Sequence, residues 1–319
     1  MQAGPAEAGP EAGRGPQPNA QNPEPDFLYN PPVPARPPAP STRAEPRDIV
    51  ELRSLRIAHP ELEAAVDVQI ELLGLQRRIQ GRVTVPAIPS QEAVAERLAQ
   101  GVPLLRFEHI PLAWTDFRFV LRETAGILGR FDLIEADALK ALQALLREGH
   151  ELEPVVERWF TATQRGGAPE ARATVADAVV PFEQALTLAI RPFLARCADA
   201  ILPRVDLTAW NHGYCPLCGS DPELAVITVQ GDQWLICGRC TGRWPFRQTT
   251  CPFCGNDDKS RLTTFASRDG RYRVAACDVC QRYVKAYDER GAARPVLPTV
   301  DTIATLPFDA AAMQRGYAG

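Results

Sequence analysis

The sequence predicts an α+β protein: an N-terminal helical bundle followed by two tandem four-cysteine metal-ribbon modules. Three observations lead there. Apolar residues recur at helical spacing from Asp48 to about Val205, eight of the nine cysteines form four CxxC pairs, and two of those pairs sit in near-identical heptapeptides.

At 319 residues the chain has room for about two domains, each able to bury a core. Thirteen of its 30 prolines lie in the first 46 residues, a stretch with few groups that could stabilise an ordered backbone. The expected organisation is therefore a disordered Pro-rich tail over 1–46 and a helical domain over 47–205. A tandem four-cysteine metal-ribbon domain follows over 206–290, then a C-terminal segment over 291–319. The nearest approach to a membrane span, Val175 to Leu202, is cut by Asp177, Glu183, Arg191 and Arg196, so none is expected. The first residues, MQAGPAEAGPEAG, lack the basic and apolar regions of a secretory signal, which predicts a cytoplasmic protein with reduced cysteines.

In the helical part, Leu62, Val66, Ile70 and Leu73 form one stripe, and Pro60 suits the first turn, which predicts a helix from about 60 to 80. Further helices are expected at 91–100, stopped by Gly101, and at about 112–129. Others are expected at 133–148 before Gly149, 152–164 before Gly166, and 175–202. Cys197 stands alone in the last of these and reads as a small buried hydrophobe.

The remaining cysteines are Cys215/Cys218, Cys237/Cys240, Cys251/Cys254 and Cys277/Cys280. CPLCGSD from Cys215 and CPFCGND from Cys251 expose an internal duplication with an offset of 36 residues, and the second pairs repeat at 40. Each unit reads as knuckle, hairpin, knuckle. Leu224 to Val229, the Gly231-Asp232 turn and Gln233 to Ile236 deliver Cys237; Arg261 to Ser267, Asp269-Gly270 and Arg271 to Ala276 deliver Cys277.

The spacing suits a tetrahedral metal. Two residues between cysteines allow a tight turn in which both sulfurs face one ion and backbone N–H groups point at them. Gly219 and Gly255 supply the positive φ such a turn needs. A ribbon this small buries too little to fold alone, so metal binding would provide its folding energy. Two closed sites are expected, Cys215/Cys218/Cys237/Cys240 and Cys251/Cys254/Cys277/Cys280, of zinc-ribbon type and holding iron or zinc. Thioredoxin-type redox pairs lack their βαβ context here, and His212 is not needed once four thiolates complete the shell.

Residues 206–290 hold 11 Lys/Arg against 10 Asp/Glu. Eight thiolates around two divalent ions add about −4, so the metallated ribbons are net negative and no nucleic-acid partner is expected.

Together these residues resemble the FdhE family of formate dehydrogenase accessory proteins. The ribbon carries most of the resemblance: Trp210, GYCPLCGSDP from Gly213 to Pro222, and Cys237/Cys240 followed by Trp244 and Arg247. CPFCG and Cys277/Cys280 with Tyr283-Val284-Lys285 complete it. HPELEAAVDVQ from His59, RPFLARCA, and Asp301, Thr305, Leu306, Asp309 and Gly316-Tyr317 extend it over about 48–319, without the Pro-rich tail. In the family two acids are usually adjacent in the C-terminal segment, whereas Asp301 stands between Val300 and Thr302.

The resemblance implies a cytoplasmic, non-enzymatic maturation factor that binds the catalytic subunit of a molybdenum- or tungsten-dependent formate dehydrogenase. It also implies rubredoxin-like sites in which iron is favoured over zinc. No GxGxxG, GxxxxGK[ST], nucleophile elbow or open His-rich metal site occurs in the sequence, so no catalytic residue is expected. The alternatives are a rubredoxin-like electron-transfer protein and, with the charge against it, a nucleic-acid-binding zinc ribbon.

Overall fold

A helix with two apolar stripes organises the N-terminal half. In α2 (Glu63–Gln80), Val66 and Leu73, with Leu62 just before it, pack against Ile49 and Leu52 of α1 (Arg47–Ala58) and against Val300. The opposite stripe, Val68, Leu72, Leu75 and Ile79, joins the main core with α4 (Trp114–Arg130) and α7 (Glu183–Ile201). The sequence pattern points to the first stripe and not to α1, which buries only Ile49 and Leu52. Between these helices come α3 (Gln91–Ala99), capped by the Ser90 side chain, then α5 (Ala136–Glu148) and α6 (Leu152–Ala162). Helix α7 is buried from Ala185 to Ile201 on nearly every side, as a central helix must be when it is apolar all round.

The computed structural model describes residues 45–148, 151–166 and 181–318, and Glu45–Gly319 form one unit. All but the last two residues of the expected disordered tail, and the start of the helix expected at 175–202, lie outside the described residues.

The C-terminal half is a six-stranded sheet. Its strands are β1 (Pro222–Ile227), β2 (Gln233–Cys237), β3 (Arg243–Pro245), β4 (Leu262–Ala266), β5 (Tyr272–Cys277) and β6 (Arg282–Asp288), in the order β3-β2-β1-β6-β5-β4. Each ribbon supplies three antiparallel strands, because a further strand follows its second knuckle. The two ribbons join where β1 and β6 pair in parallel, Leu224 opposite Lys285 through Ile227 opposite Asp288.

Both faces are covered at the centre of the sheet, so Leu224–Ile227 of β1 and Leu235–Cys237 of β2 read as apolar runs rather than alternations. Ala225, Leu235, Trp244, Val284 and Ala286 belong to the core shared with the helices. On the other face, Val226, Ile236, Tyr272 and Tyr287 pack under Val296 and Phe308, and Val274, Ala276 and Tyr283 under Ala312. Phe308 and Ala312 come from α9 (Leu306–Gln314), which follows α8 (Pro298–Ala304).

Two carboxylates fasten this cover. The fully buried Asp301 accepts from Tyr272 Oη at 2.7 Å, from Arg294 at 2.7 and 3.0 Å, and from Leu297 N at 2.7 Å. Asp309 accepts from Lys285 Nζ at 2.6 Å and from Tyr283 Oη at 2.7 Å. The C-terminal acids that carry part of the family resemblance are thus engaged in holding the cover on the sheet.

Candidate metal centres

The eight CxxC thiols converge in two groups, and the sulfurs of each group lie within 4.8 Å of one another. In the first, Cys215 Sγ is 3.5 Å from Cys240 Sγ and Cys218 Sγ is 3.4 Å from Cys237 Sγ. In the second, the Cys251–Cys280 and Cys254–Cys277 separations are both 3.7 Å. Four thiolates at about 2.3 Å from one ion would stand about 3.8 Å apart in a regular tetrahedron. Both donor sets therefore suit a tetrahedral thiolate-bound ion, and thiolate donors are common to zinc and iron.

The knuckles form as their sequence requires. In each first knuckle the chain turns back on itself: Gly219 N and Gly255 N donate to the carbonyls of Cys215 and Cys251, both at 2.9 Å. Both glycines have positive φ, at 71° and 78°. The second knuckles place Thr241 and Gln281 in the same region, at 59° and 54°, without the help of glycine. Arg239 N and Cys240 N donate to Cys237 Sγ at 3.3 and 3.4 Å, and Gly242 N donates to Cys240 Sγ at 3.4 Å. These N–H groups orient the sulfurs and favour their ionised form.

Burial pushes the Cys215 thiol well above its ordinary range, and the neighbouring thiols do the same to Cys240. At Cys237 burial opposes ionisation, yet donation from Cys215, Cys218 and Cys240 holds it well below. One charge is stabilised by its neighbours, and further charges in the same buried space need a cation. In the second group burial also raises Cys251; at Cys277 burial is opposed by the N–H groups of Cys280 and Val279 together with the Cys254 and Cys251 thiols, and the net shift is downward.

The surroundings of the two groups differ. All four thiols of the first are buried, and the chain around them is bonded to the helical half. Leu104 N and Leu105 N donate to the carbonyls of Pro216 and Leu217 at 2.8 Å, and Arg165 N to that of Gly219 at 2.9 Å. Arg239, buried between Cys237 and Cys240, lies 4.7 Å over the Trp159 ring and donates to Thr163 Oγ1 at 2.9 Å. In the second group Cys254 is exposed and Cys280 half-buried. Val279, the counterpart of Arg239, is 52% exposed.

Asp221 ties the two together. It accepts from Arg165 at 2.8 Å and from Arg282 at 2.9 Å; Arg165 also donates to the Phe253 carbonyl at 3.0 Å, and Arg282 lies 3.7 Å over the Phe253 ring. Arg165, Arg239 and Arg282 carry no motif signal, and only their placement reveals them.

His212 belongs to neither thiol group. It stacks on Tyr214 at 5.0 Å, and burial lowers its pKa. Cys197 is fully buried on α7; burial, then the neighbouring Cys218, pushes its thiol up to about 12. Among the described residues no helix is long and apolar enough to cross a membrane.

In sequence the chain is similar to proteins named FdhE. The Protein FdhE homolog of Aquifex aeolicus is 30% identical over 133 residues, 40% of this chain and 46% of that protein. The homolog of Shewanella sp. strain MR-4 is 25% identical over 189 residues, 58% of this chain and 59% of that protein. Protein FdhE of Escherichia coli K12 is 32% identical over 110 residues, 33% of this chain and 35% of that protein. The matched segments thus span 35–59% of these relatives, less than two thirds of any of them. No protein-family model matches. The crystal structure of the FdhE protein from Pseudomonas aeruginosa shares the fold, with a TM-score of 0.53 and 20% identity over 85% of this chain and 91% of that one.

Proposed function

We propose that the chain is a non-catalytic, cytoplasmic accessory factor in the maturation of a formate dehydrogenase. It binds that enzyme's catalytic subunit and holds a metal ion in each four-thiol centre, iron by the family resemblance. The observation that carries this reading is that FdhE proteins match the chain in sequence, and one of them in fold over most of its length. The donor sets agree with it. Four thiolates fill a tetrahedral shell, so a bound ion would supply folding energy and a fixed surface and would have no position free for substrate.

Deleting the gene in a host that makes a formate dehydrogenase should lower formate-dependent activity, leave the enzyme's mRNA unchanged, and be reversed by the wild-type chain. Full activity in the deletion strain, with no paralogue present, would overturn the reading. Purified protein should turn over no formate. Zinc-loaded protein should still support maturation in vitro; support by the iron form alone would move the chain to electron transfer.

A further inference from the structure

Gly316 and Tyr317 carry part of the family resemblance, and their place in the fold is beside the second metal centre. Helix α9 closes on them. Gly316, at a φ of 86°, donates from N to the Met313 carbonyl at 2.9 Å, and Tyr317 N donates to that of Ala312 at 3.2 Å. This paired helix end fixes the direction in which the chain leaves. Tyr317 packs against the cluster of Val274, Ala276, Tyr283 and Ala312, and Ala318 then bridges Arg282 in parallel at the start of β6.

From there both ends of the knuckle Cys277–Cys280 are gripped. Tyr317 Oη donates at 2.6 Å to Oδ1 of Asp278, the residue after Cys277. Ala318 N donates at 2.7 Å to the carbonyl of Gln281, the residue after Cys280, and Ala318 O accepts from Tyr283 N at 3.2 Å. Gln281 holds its left-handed φ of 54° without glycine, so the bond to its carbonyl secures the strained position of the knuckle. The knuckle's other bonds come from its own ribbon: Asp278 N donates to the Arg261 carbonyl at 2.9 Å, and Gln281 Nε2 to that of Asp278 at 2.9 Å. Among the described residues, the hydrogen bonds that reach 277–281 from outside the ribbon are those of Tyr317 and Ala318.

The corresponding knuckle of the first centre is pinned by the helical half instead. Gly238 O accepts from Arg191, and Arg239 donates to Thr163. An ion leaves a cage of thiolates when one pair of sulfurs swings aside, a local opening that is as easy as the contacts it must break are few. At the second centre Cys254 is exposed and Cys280 half-buried, so a competing ligand would meet two of the four donors without opening the core.

We propose that residues 316–318 are a strap on the second knuckle. Closed, the strap keeps Cys277 and Cys280 on a bound ion; released, it makes the second centre the exchangeable one. This rests on the reading above that the second thiol group holds a metal ion, and not on the identity of a client.

The zinc-loaded full chain is mixed with an excess of a chromogenic chelator, and the release phases are assigned to the two centres with the chain carrying Cys251→Ser and Cys254→Ser. Tyr317→Phe keeps the ring and loses the bond to Asp278. Release from the second centre should quicken about fivefold, as for the loss of one partly buried hydrogen bond, while release from the first is unchanged. Removing residues 316–319 should quicken it about tenfold or more, as loss of outer support for metal ligands does. In an Asp278→Ala background Tyr317→Phe should add nothing, because its partner is already gone. Unchanged release from the second centre, or equal acceleration at both, would overturn the strap and leave two metal centres standing. A wild-type chain that holds no ion at Cys251, Cys254, Cys277 and Cys280 would overturn the metal reading there and the strap with it. If the shortened chain does not fold, Tyr317→Phe with and without Asp278→Ala decides.

Discussion

The same heptapeptide pattern builds two knuckles with different surroundings. CPLCGSD lies in the main core, bonded through its backbone to the loops after α3 and α6, whereas CPFCGND gives that core Cys251 and Phe253 and leaves Cys254 exposed. A thiolate turn is a local object that forms wherever its four donors can meet. Whether it becomes part of the core depends on what the rest of the chain packs against it. Here the first centre is placed to hold the helices to the sheet, and the second to close its own ribbon while keeping one side free.

That difference is open to direct attack, and the cysteines give the largest effect. Structural zinc contributes about 10–16 kcal/mol to the folding of finger peptides, comparable with the whole stability of an ordinary domain. Cys215→Ser with Cys218→Ser should therefore cost one metal equivalent and lower the thermal midpoint by about 10 °C or more. Cys251→Ser with Cys254→Ser should cost one equivalent with a clearly smaller drop. Metal analysis and calorimetry read both. In the intact protein, alkylation mapped by mass spectrometry should mark Cys254 first, and a chelator should remove one ion at least about tenfold faster than the other. Equal drops, or simultaneous loss of both ions from either variant, would mean that the centres are one unit.

A smaller effect distinguishes the third residues of the second knuckles. Arg239 stacks on Trp159 and bonds Thr163, and a desolvated cation–π pair with a hydrogen bond is worth about 2–3 kcal/mol. Its Nε and Nη1 find no acceptor among the described residues, which subtracts from that figure. Arg239→Ala should cost about 2 kcal/mol in denaturant unfolding, and Val279→Ala less than about 0.5. Similar costs would show that Arg239 does not anchor the first centre to α6.

Much of this was legible in the sequence, for identifiable reasons. The CxxC spacing, the glycine after each first knuckle and the Gly231-Asp232 and Asp269-Gly270 turns are local requirements, so they leave local marks. The stripe from Leu62 to Leu73 did too. The parallel pairing of Leu224 with Lys285 joins residues distant in the chain and leaves none, so the sequence suggested two separate ribbons where there is one sheet. Arg239 has no mark in CGRC because its partners, Trp159 and Thr163, lie in α6 and the residue after it. Asp301 carries no structural mark in the sequence for the same reason: Tyr272 and Arg294, which hold it, come from elsewhere in the fold.

The finest test uses two glycines that differ only in what lies beside them. Gly219 and Gly255 have nearly the same φ, so alanine at either should suffer the same left-handed strain of about 1–2 kcal/mol. At Gly255 nothing lies within 4 Å of the added Cβ, and strain is the whole cost. At Gly219 the Cβ would stand 2.5 Å from Gln164 Cγ and 2.8 Å from the Arg165 carbonyl oxygen. The side chain can move, but that carbonyl belongs to the residue whose N–H bonds Gly219 O, so yielding would loosen the attachment of the first knuckle. Overpacking of this kind adds about 1–3 kcal/mol. Gly219→Ala should therefore lose roughly twice as much stability as Gly255→Ala, and chelator release from the first centre should quicken while release from the second stays unchanged. Equal losses would show that residues 164–166 give way at no cost, and that burial of the first centre does not depend on them.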